Sequence, residues 1–268
     1  MARARPFSAA RLPGFAAMAA ATFLILYAPI ATLVIYSFNG SDSVAVWGGF
    51  SLKWYGAAWE NAQVQEATMR SVVIALAASG IATVTATMAA LGTTRRGRFP
   101  GQTLIYAIIN QPLMAPEIVT AVALLIFFSS IKVATGYTGL GYLILAHAAF
   151  CVPFAYLPIR ARLESMDLTL ETAAADLYAT PWLAFRRVTL PLLAPGIAAG
   201  AMLAFVISLD DVIITEFVKS AGQDTLPTYM LGQIRRAATP EVNAISTVLL
   251  AVTVALLSLF FAVTRKRA

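Results

Sequence analysis

Histidine and cysteine are nearly missing from this chain, with one of each, His147 and Cys151, among 268 residues. A lone thiol cannot form an internal disulfide and says nothing about redox compartment, so packing is the role expected of it. One histidine with no paired cysteines leaves no metal-ligand spacing, and no HExxH pattern occurs; neither a metal site nor catalytic residues are expected. The GxxxxGK[ST] phosphate loop is also absent, so the chain is not expected to bind ATP itself. Charge is scarce too. Only 12% of the residues are charged while 59% are hydrophobic, a balance that keeps a domain of this length out of water.

What the sequence does hold is long apolar runs. A helix needs about 20 consecutive apolar residues to cross the hydrocarbon core of a bilayer. Helices that meet this need are expected near 12–41, 71–94, 101–131, 138–159, 188–209 and 242–264, the third carrying one charge, Glu117. The fold class read from this pattern is an all-α membrane protein with about six transmembrane helices. No repeat or low-complexity linker divides residues 1–268, so one domain is expected. The arginine-rich start could suggest a secretory signal, but its apolar run continues through Tyr27, Pro29 and Tyr36, which favours a retained first helix.

Cytoplasmic flanks carry the excess of lysine and arginine. Alternation along the six spans places Arg3, Arg5, Arg11, Arg95, Arg96, Arg98, Arg160, Arg162, Arg186, Arg187, Arg265, Lys266 and Arg267 on one side, 13 of the 19 bases. Both termini are therefore expected in the cytoplasm. The net charge of +6 then reports topology and lipid contact rather than nucleic-acid binding. Pro29, Pro112, Pro116, Pro153 and Pro195 interrupt the apolar runs and free backbone carbonyls that need partners inside protein or beside a water-lined cavity, which suits a transport path.

Acids within such spans are costly and by default face an interior cavity. Glu117, Asp210, Asp211 and Glu216 are the candidates for a substrate path, with Tyr27 as an aromatic contact. A structural hydrogen bond is the alternative for Glu117, solvation or capping for Asp210 or Asp211, and membership of the interfacial aromatic belt for Tyr27. His147 is expected to hydrogen-bond within the bundle.

The stretch from Arg160 to Gly196 separates the fourth and fifth spans. Leu170, Ala173, Ala174 and Leu177 recur at helical spacing, with Glu171 and Asp176 on the wetter faces. Thr180 and Pro181 read as the N-cap and first position of a second short helix containing Leu183 and Ala184. Two such helices form a knob suited to the groove of a soluble partner.

This stretch resembles the EAA motif of ABC importer permeases, an acid-Ala-Ala helix, then a glycine, then an LP step into the next span. Here Thr172, Ala173 and Ala174 are followed by Asp176 and Leu177, then by Leu190, Pro191 and Pro195. Thr172 stands where the glutamate is usual, with Glu171 one place earlier, and Tyr178 stands where glycine is usual. The resemblance implies that segment 163–187 couples to an ATPase, through Glu171, Thr172, Ala173, Ala174, Asp176, Leu177, Ala179, Thr180 and Phe185. YAPIATLVIYSFN from Tyr27, SLKWYG from Ser51, PLMAPEIVTAVALL from Pro112 and SLDDVIITEFV from Ser208 are similar to the polyamine branch of that family.

The resemblance implies a type I ABC importer permease bundle in a bacterial inner membrane, moving putrescine or spermidine inward. It also implies a second, different permease, two ATPase subunits holding ATP and Mg²⁺, and a periplasmic polyamine-binding protein. Another small amine, an opine or a phosphonate remains open as the solute. A cation channel working without ATPases is the rival of a different class.

Overall fold

The computed structural model describes residues 14–95, 97, 99–236 and 239–265, the last three by backbone alone. Among these, six helices are long and apolar enough to cross a membrane. The bases at Arg3, Arg5, Arg11, Arg96, Arg98, Lys266 and Arg267, and the start of the first expected helix at 12–13, lie outside the described residues. The chain divides into two compact units, one formed by Met1–Asn61 with Gln233–Val252 and the other by Ala62–Gly232 with Thr253–Ala268.

In the first unit, α1 (Phe15–Tyr36) is apolar and has no buried residue. The chain then turns around Asn39, which is fully buried. Its amide donates to the carbonyls of Ser43 and Val46, and its Oδ1 accepts from the N–H groups of Ser41 and Gly48. One side chain thus stands in for the backbone pairing that a short irregular loop lacks. Helix α2 (Lys53–Glu60) follows, tied back where the Tyr55 and Ser37 hydroxyls meet at 2.7 Å.

The second unit is built around α3 (Ala62–Thr94), α6 (Gly141–Ser165) and α9 (Leu190–Asp210). Helices pack closely in lipid where small residues let their backbones approach. Helix α3 presents Ala67, Ser71, Ala75, Ala78, Ala82, Ala86 and Ala90, buried at spacings of three and four. Helix α9 answers with Gly196, Gly200 and Ala204. A Cβ on Gly200 would stand 2.6 Å from the Ala155 carbonyl of α6, so that crossing exists only because the position is glycine.

Several boundaries differ from those expected. The second span begins at Ala62 rather than 71, because the polar residues of its first turns satisfy their backbone within the helix and hydropathy alone does not count them. The fourth runs on from 159 to Ser165. The third is not one helix from 101 to 131. It is α4 (Gln102–Met114) and α5 (Glu117–Thr135), separated by Ala115 and Pro116 in extended conformation. A residue before proline is pushed out of the helical region, so the chain restarts with Glu117 as the first residue of α5.

The second cytoplasmic helix expected near Pro181 is not a separate element either. Helix α7 (Thr169–Asp176) stands alone, but α8 (Pro181–Ala184) continues through a π-helical turn, Phe185–Thr189, directly into α9. Pro191 has no N–H to offer the carbonyl of Arg187, and the hydrogen-bond register slips just before it. The fifth span therefore starts at Pro181 and runs to Asp210. The remaining elements are α10 (Ile213–Val218), α11 (Leu226–Arg236) and α12 (Pro240–Arg265).

Candidate functional site

Two places in the second unit gather the residues singled out from the sequence. The first is an open cavity of about 410 Å³ at the junction of α5, α6, α9 and α10. The proline break delivers Glu117 to it as the first residue of α5. The end of α9 delivers Asp210 and Asp211. Asp211 adopts an extended conformation that stops the helix, and α10 restarts beyond it. Glu117 and Asp211 thus line one cavity although they are far apart in sequence. Phe150 and Phe154, one turn apart on α6 with ring centroids 5.5 Å from each other, line the same cavity. A lining that combines carboxylates with phenyl rings suits a solute that joins positive charge to hydrocarbon.

The three acids are held differently. Asp210 is exposed, free to meet a solute. The Asp211 side chain is 2% exposed. It accepts from the N–H groups of Ile214 at 3.1 Å and Thr215 at 2.9 Å, and from the Thr215 hydroxyl at 2.8 Å. Asp211 therefore caps α10 while also lining the cavity. His147, on α6, contacts Ser208 at 2.8 Å through Nδ1 and Thr215 at 2.9 Å through Nε2, and lies 3.3 Å from Asp211. Cys151 is buried one turn further on, its thiol directed at the Ala204 carbonyl.

Glu216 is not among the residues that line this cavity, and Tyr27 belongs to the other unit. Glu216 pairs with Lys219 at 2.5 Å, and Lys219 also pairs with Asp224 at 2.7 Å. Burial opposes the charge on Lys219, but its hydrogen bonds to Asp224 and Glu216 outweigh that and raise its pKa above the ordinary 10.5. Tyr27 lies on α1, in the other unit, more than half exposed and stacked on Phe23. Phe150 and Phe154 were not singled out from the sequence. Their spacing of four, on the helical face that begins with His147, is the signal that identifies them.

The second place is the turn after α7. Tyr178 has φ +59, the one non-glycine residue with positive φ among the described residues. Its N–H bonds to the Ala175 carbonyl at 2.9 Å, and the N–H of Ala179 bonds to that of Ala174 at 3.0 Å. These are the paired bonds of a Schellman motif, which places a left-handed residue just past the helix end. Glycine is favoured there because it lacks a Cβ. Tyr178 takes the same conformation, so the tight stop of α7 is kept although its usual residue is not.

An eight-residue helix has little stability of its own, and α7 is anchored by Glu171. Its Oε1 accepts from the Thr189 hydroxyl at 3.0 Å and lies 3.0 Å from a guanidinium nitrogen of Arg95. The Arg95 approach has the distance of an ion pair without the alignment of a directed hydrogen bond. Thr172, Ala173, Asp176, Leu177 and Thr180 are exposed, and Ala174, Ala179 and Phe185 are half-buried. Thr180 caps α8 by accepting from the Leu183 N–H at 3.4 Å. Leu177, Tyr178 and Trp182 stand 81%, 97% and 69% exposed at this turn.

A helical bundle with an acid-lined cavity at one end of α9, and an anchored, apolar-tipped turn leading into the other, is built as the membrane subunit of a transporter. The chain belongs to the binding-protein-dependent transport system inner membrane components, whose family model matches residues 82–266. It is 39% identical over 231 residues to the putrescine transport system permease protein PotI of Escherichia coli (strain K12), covering 85% of this chain and 82% of that one. It is 35% identical over 244 residues to the spermidine/putrescine transport system permease protein PotC of Haemophilus influenzae (strain ATCC 51907 / DSM 11121 / KW20 / Rd), covering 91% and 93%. A chain in the crystal structure of a bacterial ABC transporter importing the acidic polysaccharide alginate shares the fold, with TM-score 0.69 at 15% identity over 98% of this chain and 99% of that one. The chain is thus a multi-pass permease subunit of an ABC importer, with a transport role and not an enzymatic one. Importers of this kind work with a second permease, ATPases and a substrate-binding protein.

Proposed function

We propose that this permease moves polyamines, putrescine or spermidine, into the cytoplasm. The observation that carries this reading is the convergence of Glu117, Asp210 and Asp211 on one cavity that Phe150 and Phe154 also line. A diamine has ammonium groups for the carboxylates and methylenes for the rings, and each intramembrane charge left without a partner costs about 3 kcal/mol. The names borne by PotI and PotC support the same solute class.

In this reading both termini and α7 face the cytoplasm, and the cavity lies toward the outer side. A second, non-identical permease completes the solute path, and a periplasmic polyamine-binding protein delivers the cation to it. Two ATPase subunits, which hold the ATP and Mg²⁺, grip the surface formed by Leu177, Tyr178 and Trp182. Their closure moves α7 and rocks the permeases between outward and inward states.

The test is uptake by the whole complex in lipid vesicles with its binding protein. Putrescine or spermidine should stimulate ATP hydrolysis and accumulate, and Glu117→Gln and Asp210→Asn should each weaken uptake. Equal uptake of a phosphonate, indifference to both substitutions, or transport by the chain without a nucleotide-hydrolysing partner would overturn the reading.

A further inference from the structure

Proton accounting around His147 fixes an arrangement that reaches the cavity wall. As a carboxylate, Asp211 only accepts hydrogen bonds, and the Thr215 hydroxyl spends its single proton on Asp211 Oδ2 at 2.8 Å. The oxygen of Thr215 must then accept from His147 Nε2 at 2.9 Å, which places the imidazole proton on Nε2. A neutral imidazole with its proton there accepts at Nδ1, so the Ser208 hydroxyl donates to it at 2.8 Å. The result is a directed chain, Ser208 to His147 to Thr215 to Asp211, in which every donor points toward the carboxylate. His147 and Asp211 have side chains 1% and 2% exposed, and Ser208 and Thr215 are buried, so no solvent competes for these bonds.

The chain also bridges a backbone break. Ser208 lies in the last turn of α9, which ends at Asp210, and Thr215 in α10, while Asp211 and Val212 form the joint between them. The joint has no helical register to hold it, and the imidazole ties its two sides to α6.

We propose that His147 is a positioning residue for cation binding: through Ser208 and Thr215 it locks the α9–α10 joint and keeps Asp211 and Asp210 aimed into the cavity. This rests on the reading of that cavity as the solute path. His147 itself does not line the cavity and does not touch the solute.

The test compares variants in the complete complex, in vesicles, by putrescine uptake kinetics. His147→Gln sets an amide near the position of Nε2 and can donate to Thr215, whereas His147→Leu fills the space without a donor. His147→Leu should raise KM by about ten-fold, the scale of a buried hydroxyl left without its partner, with a smaller change in maximal rate, and His147→Gln should restore most of the loss. Thr215→Val should raise KM by a similar factor while Thr215→Ser does not, and combining Thr215→Val with His147→Leu should add little. This second pair keeps the proposal open to refutation if His147→Leu fails to assemble. An unchanged KM in His147→Leu or Thr215→Val, or a loss confined to maximal rate or to the amount of assembled complex, overturns the proposal. If Glu117→Gln and Asp210→Asn still weaken uptake in that case, the cavity reading stands and only the role of His147 falls.

Discussion

Glu171 and Thr189 are hydrogen-bonded at 3.0 Å across eighteen residues, joining the free-standing helix α7 to the π-helical turn at the base of the fifth span. The same carboxylate oxygen lies 3.0 Å from Arg95, just beyond the end of α3. A push on α7 is therefore delivered to two of the three helices that form the core of its unit.

Glu171→Ala removes both contacts and should cut uptake by about an order of magnitude, while ATP hydrolysis by the complex persists. Breaking a partly buried, hydrogen-bonded acid costs on the scale of about 2 kcal/mol. Arg95→Ala should cause part of the same loss and add little to Glu171→Ala. Parallel measurement of uptake and ATP hydrolysis checks this, and equal loss of both activities argues against a transmitting role.

Tyr178 bears the cost of a Cβ in a left-handed conformation, φ +59, about 1 kcal/mol. Tyr178→Gly should therefore raise the melting temperature of the purified chain, and Tyr178→Val, with its branched Cβ, should lower it. The isolated chain is the right sample, because its melting temperature reads the backbone cost of this turn alone.

Gly200→Ala drives a methyl group to 2.6 Å from the Ala155 carbonyl and 3.1 Å from Ile159. Two helix backbones must separate to admit it, a loss of about 1–3 kcal/mol. Gly80→Ala, on α3, meets nothing within 4 Å and should leave stability unchanged or slightly higher. Thermal unfolding of the two variants in one detergent gives the comparison.

Lys219→Met should destabilise the loop after α10 by leaving Glu216 and Asp224 without their shared cation. The Lys219 pKa is raised in the folded state, so its stabilisation is fully present below 10.5 and is lost only as pH climbs through the raised value. The stability gap between variant and parent should therefore hold constant from neutral to mildly alkaline pH and close only under strong alkali.

Six membrane spans, the helix at Leu170–Leu177, the cap at Thr180 and the acids Glu117, Asp210 and Asp211 were all legible in the sequence. Length, hydropathy and helical spacing are local properties, and a carboxylate in an apolar run announces itself by its cost. Tyr178 shows where local reading stops, since nothing in its identity announces that it adopts the conformation of the glycine it replaces. The division of the third span also needed coordinates. Proline can kink a helix or end it, and only the extended conformation of Ala115 and Pro116 shows that Glu117 begins a new one.

The sequence by itself determined that this chain lives in a bilayer, as helices, with a short helix ahead of the fifth span, because those facts depend on residue type and spacing. Tertiary structure alone decided which acids share a cavity, that Phe150 and Phe154 line it with them, that Lys219 claims Glu216, and that Glu171 anchors α7. Those outcomes depend on which faces of distant helices meet, and helix packing is set by side-chain shape across contacts that no sequence window contains.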